Sequence, residues 1–188
     1  MKYRSFLFLD IDGVMNPLNN ETNTRTKLIG KNQTRYIEFP NDALEFLDWI
    51  VKSNRCYIVL SSTWKLNEDT LKNVKKELAR YGMKLYGQTP TVINENKRVR
   101  GLEIQKYLED YASEYDINVK DIPHVILDDE CSDILPYHGK SYVIKCDMEK
   151  GLTMREAQRA FISVGLQKAI LNNRRRKRKN KSNSNGDK

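Results

Sequence analysis

Phe6 to Asn16 reads FLFLDIDGVMN, and the fold is decided there. Phe6, Leu7, Phe8 and Leu9 are apolar without alternation, the pattern of a strand covered on both faces. The run is far shorter than a membrane span or a leader core, and Asp10 breaks it. Asp10 and Asp12 then stand one residue apart, followed by Gly13, whose missing Cβ permits a tight turn. Two carboxylates at the end of a buried strand repel each other unless a cation or a chemical role holds them there.

Working outward, the same design recurs. Tyr3 to Leu9, Cys56 to Leu60 (CYIVL), Val125 to Leu127 (VIL) and Ser141 to Lys145 (SYVIK) read as strands. Between them, PNDALEFLDWIVKS puts Leu44, Leu47, Ile50 and Val51 on one helical face, with Asn41 or Asp42 as N-cap. NEDTLKNVKKELARYG repeats the arrangement with Leu71, Val74, Leu78 and Tyr81, and Gly82 stops it. Further helices are predicted over Gly101 to Tyr115 and from Thr153 to about Leu171. Strands alternating with helices imply an α/β fold, a Rossmann-like parallel sheet with helices on both faces. At 188 residues the chain suits one domain, expected over residues 1–171, with an appendage over 172–188.

In open parallel sheets, ligands bind beyond the carboxyl ends of the strands. Asp10 and Asp12 end the first strand, Ser61 and Ser62 the second, and Asp128 and Asp129 the strand from Val125, so three polar clusters are expected at one edge. Carboxylates crowded together without intervening lysines suit a hard cation with oxygen ligands, Mg²⁺, and phosphoryl transfer is the chemistry such a site serves. Competing ligand sets and motifs are missing. His124 and His138 are the only histidines, and the chain has no HExxH, no triad order and no GxxxxGK[ST] phosphate cradle. Cys56, Cys131 and Cys146 are widely spaced without a CxxC pair, so reduced thiols are expected. With no apolar run long enough for a membrane, a cytoplasmic protein is expected.

The formal charge of +8 is unevenly placed, because the segment from Asn172 onward carries +7 of it. This arm, NNRRRKRKNKSNSNGDK, has almost nothing apolar to bury and repels itself, which predicts disorder. Two readings of it stay open: a solubilising or targeting tail, or a sequence-independent contact to nucleic-acid phosphates.

DIDGVMN, VLSSTW, KRVRGLEI and VILDDECSD resemble the four successive motifs of the haloacid dehalogenase (HAD) superfamily of phosphatases, over roughly Phe6 to Asp133. The LSSTW and RGLEI forms are similar to the HAD domains of Swiss Army Knife RNA repair proteins and of polynucleotide kinase-phosphatases. The resemblance implies Asp10 as nucleophile, forming an aspartyl-phosphate, and Asp12 as general acid and base. It implies Mg²⁺ held by the Asp10 carboxylate, the Asp12 backbone carbonyl and Asp129, with Asp128 sharing the duty. Ser61, with Ser62 as fallback, is the expected hydroxyl donor to the phosphoryl group. Arg100 is the preferred cation, with Lys97 and Arg98 as substitutes, and Gly13 clears the substrate's approach. Asp133 is expected to orient the site or to cap a helix, and Trp64 to serve in packing rather than base stacking.

Members of this superfamily commonly close over small substrates with an inserted cap domain. Here the gaps, Met15 to Phe39 and Gly82 to Val99, are too short for one. The first reads as a flap with a hairpin near Tyr36 to Phe39, made basic by Arg25, Lys27, Lys31 and Arg35. An uncapped site admits the end of a polymer, so a phosphorylated nucleic acid contacted by the basic tail is the expected substrate. A nucleotidase and a non-catalytic nucleic-acid-binding module are the alternatives.

Overall fold

The computed structural model describes residues 4–19, 27–29 and 34–184. Its centre is a five-stranded, all-parallel sheet built from β1 (Ser5–Leu9), β4 (Cys56–Leu60), β5 (Leu85–Gln88), β8 (His124–Asp128) and β9 (Val143–Lys145), in the order β5-β4-β1-β8-β9. The chain builds outward from β1 on one side through β4 and β5, then crosses back to lay β8 and β9 on the other. The strand order therefore reverses at β1, and the crevice beyond the carboxyl ends of β1 and β8 is the place where such a sheet binds ligands.

β1 is the middle strand and all five of its residues are buried. Its side chains alternate between two cores. Leu7 and Leu9 join Ile58, Leu60, Val125 and Leu127 under α1 (Asn41–Asn54), α2 (Glu68–Ala79) and α4 (Met154–Ser184). Phe6 and Phe8 join Val59 and Ile126 under α3 (Arg100–Glu114), through Ile104, Leu108 and Tyr111. Both faces are thus covered by helices, and this double burial explains why β1 is apolar without alternation. On α1, Leu44, Leu47 and Ile50 are buried and Val51 is half-buried; on α2, Val74 and Leu78 are buried while Leu71 and Tyr81 pack at the margin.

Four local features differ from the sequence expectations. Pro40, not Asn41 or Asp42, occupies the N-cap of α1; its fixed φ of −55° suits the entry, and Asp42 accepts from the amide of Ala43, at 2.8 Å, instead of capping the helix. The fifth strand, β5, lies in the segment read as a gap. Its side chains alternate between partly buried and exposed, and Gly87 interrupts it, so it carries little strand signal. Two small hairpins flank the sheet: β2 (Lys27–Ile29) with β3 (Thr34–Tyr36), and β6 (Ile93–Asn94) with β7 (Lys97–Arg98). The first is shifted a few residues upstream of the expected Tyr36 to Phe39; Arg25 and Lys31 lie outside the described residues. Finally, α4 does not stop near Leu171 but continues to Ser184, through most of the basic arm. Arginine and lysine are good helix formers, and no glycine or proline interrupts the run before Gly186.

Beyond the hairpin, Ile37 and Phe39 are fastened to α2. Buried Asn73 accepts from the Ile37 amide at 2.7 Å and donates to its carbonyl at 2.8 Å, replacing a missing strand neighbour. Buried Glu77 accepts from the Phe39 amide at 2.8 Å, from the Tyr36 hydroxyl and from Arg80.

Candidate active site

Asp10 follows the last residue of β1, and its amide donates to the Leu127 carbonyl at 3.0 Å, extending the ladder toward β8. Only 4% of it is exposed. One carboxylate oxygen, Oδ1, accepts from the Ile11 amide at 2.8 Å; the other, Oδ2, accepts from Arg100 Nη1 at 2.6 Å. The same Nη1 reaches Asp128 Oδ2, so one guanidinium nitrogen lies between two carboxylates. Burial pushes the Asp10 carboxyl above the usual carboxylate range, opposed by the Arg100 charge and by a hydrogen bond from Ser62. Burial and the neighbouring charge of Asp10 push Asp128 the same way.

Arg100 is placed by the start of α3. Its own amide donates to Asp133 Oδ2 at 2.8 Å, so Asp133 caps the helix from a distant loop and fixes the residue that meets Asp10. Gly101 allows this approach, since a Cβ there would collide with the Asp133 carbonyl and the Tyr137 ring.

Asp129 stands beside the pair. Ligand oxygens of Asp10, Asp128 and Asp129 lie within 4.8 Å of one another. Gly13, at φ +69°, turns the chain immediately beneath, and a Cβ there would overlap the Asp129 carboxylate. Three convergent oxygen donors, two of them buried with a single guanidinium between them, fit a hard divalent cation. The side chain of Asp12 does not belong to this cluster.

Asp12 is exposed and held from two sides. Asn16 Nδ2 donates to its Oδ1 at 3.0 Å and Trp64 Nε1 to its Oδ2 at 2.8 Å. Trp64 is 8% exposed and its ring meets that of Phe39 at 6.0 Å between centroids, so it does pack, but its polar end serves Asp12. Ser61, on the residue after β4, is 1% exposed, and its hydroxyl has no partner among the described residues. A buried hydroxyl left without a partner at the carboxyl end of β4, next to Ser62, whose side chain bonds Asp10, is a fit for a phosphoryl oxygen.

Lys97 and Arg98 are not gathered with these groups. Lys97 is exposed on β7, while Arg98 donates to buried Glu103 through Nε at 2.5 Å and Nη2 at 2.7 Å. Glu103 also holds Lys65 Nζ at 2.8 Å, and Lys65 further donates to the carbonyls of Thr89 and Pro90 at 2.8 and 3.0 Å. This network ties the segment after β4 to the end of β5 and the first turn of α3, and so braces Ser61, Ser62 and Arg100 against one another. Lys65 and Glu103 were not foreseen from the sequence, although a charged residue recurring on the core side of a helix is a signal for a buried partner.

The family whose model matches residues 6–157 is the HAD domain in Swiss Army Knife RNA repair proteins. The chain belongs to this family. No curated protein matches it. The match runs from Phe6 in β1 to Ala157 in α4, so it takes in every residue of the crevice in this HAD domain, and leaves the basic half of α4 beyond it. Among the described residues, no helix of the HAD domain is long and apolar enough to cross a membrane.

Proposed function

We propose that this HAD domain is a Mg²⁺-dependent phosphatase that removes a terminal phosphate from a nucleic acid, a 3′-phosphate being the preferred candidate, through an aspartyl-phosphate on Asp10. The observation that carries this reading is the meeting of three carboxylates, Asp10, Asp128 and Asp129, at one sheet edge, with the Arg100 guanidinium bonded to Asp10 and Asp128 together. Asp10, Asp128, Asp129 and the backbone carbonyl of Asp12 would hold the cation. Bound Mg²⁺ would neutralise charge between these carboxylates and the phosphate oxygens.

The chain's own groups divide the work. An Asp10 oxygen attacks phosphorus, and the bond to the leaving oxygen breaks as Asp12 delivers its proton there. Water then attacks phosphorus, gives its proton to Asp12 and releases phosphate from Asp10. Asp12 is suited to this alternation because it lies outside the buried cluster, with both oxygens oriented by neutral donors. Ser61, Ser62 and Arg100 would supply donors to the phosphoryl oxygens, and Gly13 room beside Asp129. Lys97, exposed on β7, and Arg98, held by Glu103, are assigned no contact to the phosphoryl group, and Arg100 alone of the three supplies the cation.

Nucleic acid is favoured by membership in a family of RNA repair domains, by the short segments standing where a cap domain would be, and by a basic helix. A panel of 3′- and 5′-phosphorylated oligonucleotides, mononucleotides and an aryl phosphate, with and without Mg²⁺, tests it. Oligonucleotide 3′-phosphates are expected to show the highest kcat/KM, and only with Mg²⁺. Preference for mononucleotides would make the protein a nucleotidase; binding of oligonucleotides without any turnover would make it a non-catalytic module.

A further inference from the structure

A second concave site lies at the opposite edge of the sheet. It is a cavity of about 260 Å³, at the amino-terminal ends of β1, β4 and β8, whereas Asp10, Ser61 and Asp128 stand at the carboxyl ends. Strands of five residues put the two edges roughly 16 Å apart. Four cations from three separate chain segments line it: Arg4 before β1, Arg55 before β4, and Lys168 and Arg175 on α4. Among the described residues, no acidic one lines it.

Two of these cations have defined seats. The Arg4 guanidinium lies over the rings of Tyr57 and Tyr86, 5.0 and 4.7 Å from their centroids. Lys168 donates to the Asn54 carbonyl that ends α1. Lys168 and Arg175 are seven residues apart, two turns of α4, and so share one helical face. The continuation of α4 past Leu171 is what brings Arg175 over the body. Beside it, Arg174 pairs with the Asp121 carboxylate, at 3.9 Å. Tyr57 and Tyr86 pack against each other, with ring centroids 4.8 Å apart, and remain 40% and 39% exposed beside Arg4.

We propose that this cavity docks the phosphodiester backbone of a single nucleic-acid strand, with Arg4, Arg55, Lys168 and Arg175 facing phosphates and the exposed parts of Tyr57 and Tyr86, beside Arg4, giving the bases an aromatic surface to pack against. Grouped cations beside aromatic rings are the means by which proteins hold single strands without reading sequence. Four cations lining one cavity make a positive field that attracts a polyanion, whose counterions leave on binding. The cavity retains the body of a strand whose end is processed at the other edge, so its meaning rests on the nucleic-acid reading above, but its binding is measurable without turnover.

The test is fluorescence anisotropy with a labelled, unphosphorylated single-stranded RNA of twenty nucleotides, across a range of salt. The variant is Arg55→Gly with Arg175→Gln in the full chain. Arg55 sits at φ +49°, where glycine is at ease, and glutamine keeps helix propensity, so the fold is preserved. Affinity is expected to fall on the order of tenfold, and the salt slope to flatten by about 0.7 for each cation removed. Hydrolysis of an aryl phosphate should not change. If the double variant melts early, Arg175→Gln alone carries the test, with half the change in slope. Unchanged affinity and slope overturn the proposal, as does an equal loss of affinity for inorganic phosphate or a mononucleotide, which would make the cavity a small-anion site. Weaker RNA binding in a protein with no phosphatase activity would keep the cavity and sink the proposed reaction; active protein with unaltered binding would do the reverse.

Discussion

Trp64 Nε1 donates a hydrogen bond of 2.8 Å to Asp12 Oδ2. The indole stands on the segment after β4 and is buried against Phe39, which closes the flap segment, so Asp12 is aimed by a rigid neighbour as well as by Asn16 of its own loop. Trp64→Phe keeps an aromatic body and deletes the donor. A hydrogen bond to a charged group contributes about 1.5–3 kcal/mol, so kcat should fall roughly 10- to 100-fold with little change in KM. Steady-state kinetics on an aryl phosphate, with a melting curve as control, measures this; an unchanged kcat would remove Trp64 from the site.

Glu103 is fully buried and shared by Lys65 and Arg98. Burial works to raise its carboxyl, but bonds from Arg98 and Lys65 hold it below the usual range, while burial lowers Lys65. Glu103→Gln leaves the buried ammonium without its counter-charge and should cost about 3–5 kcal/mol in urea unfolding. Adding Lys65→Met should recover part of the loss, because the two residues act as one unit. Additive losses in the double variant would mean that they do not.

The crevice was legible in outline because its residues announce strand ends. Asp10, Ser61 and Asp128 each follow an unbroken apolar run, and a parallel sheet brings such ends together whatever the helices do. Arg100 was legible for a similar local reason, standing at a helix start. What stayed hidden depends on contacts across long stretches of chain. The bonds from Trp64 to Asp12 and from the Arg100 amide to Asp133 span 52 and 33 residues, and no periodicity encodes them. Lys65 looks like a solvated lysine until Glu103 lies beneath it. The helical arm was missed for a different cause: its composition forbids burial, but not helix.

His124 lies on β8 in a neutral setting. Its ring stacks on Tyr142 at 4.6 Å and meets His138 edge-on at 5.8 Å, and Nδ1 is 3.0 Å from the Ile122 carbonyl. Burial lowers it from 6.5 to about 4, and lowers His138 in the same direction. Between these values the unfolded chain binds the proton and the folded chain does not. Stability is therefore greatest above pH 6.5 and is lost as pH falls toward 4, with a slope of at most about 1.4 kcal/mol per pH unit from this residue. His124→Phe keeps the ring and abolishes its titration, so urea unfolding between pH 6.5 and 5 should show a flatter slope than the wild type. Parallel slopes would mean that His124 is protonated in the folded state.

The most direct measurement on the proposed reaction is the detection of phosphate on Asp10. Protein turning over a phosphorylated substrate with Mg²⁺ is quenched in acid, digested and examined by mass spectrometry. A phosphoryl adduct on the peptide carrying Asp10 is expected, absent from Asp10→Asn, which should also lose turnover by several orders of magnitude while melting like the wild type. Full turnover by Asp10→Asn, or turnover by the wild type with no adduct at any quench time, would contradict covalent catalysis at Asp10.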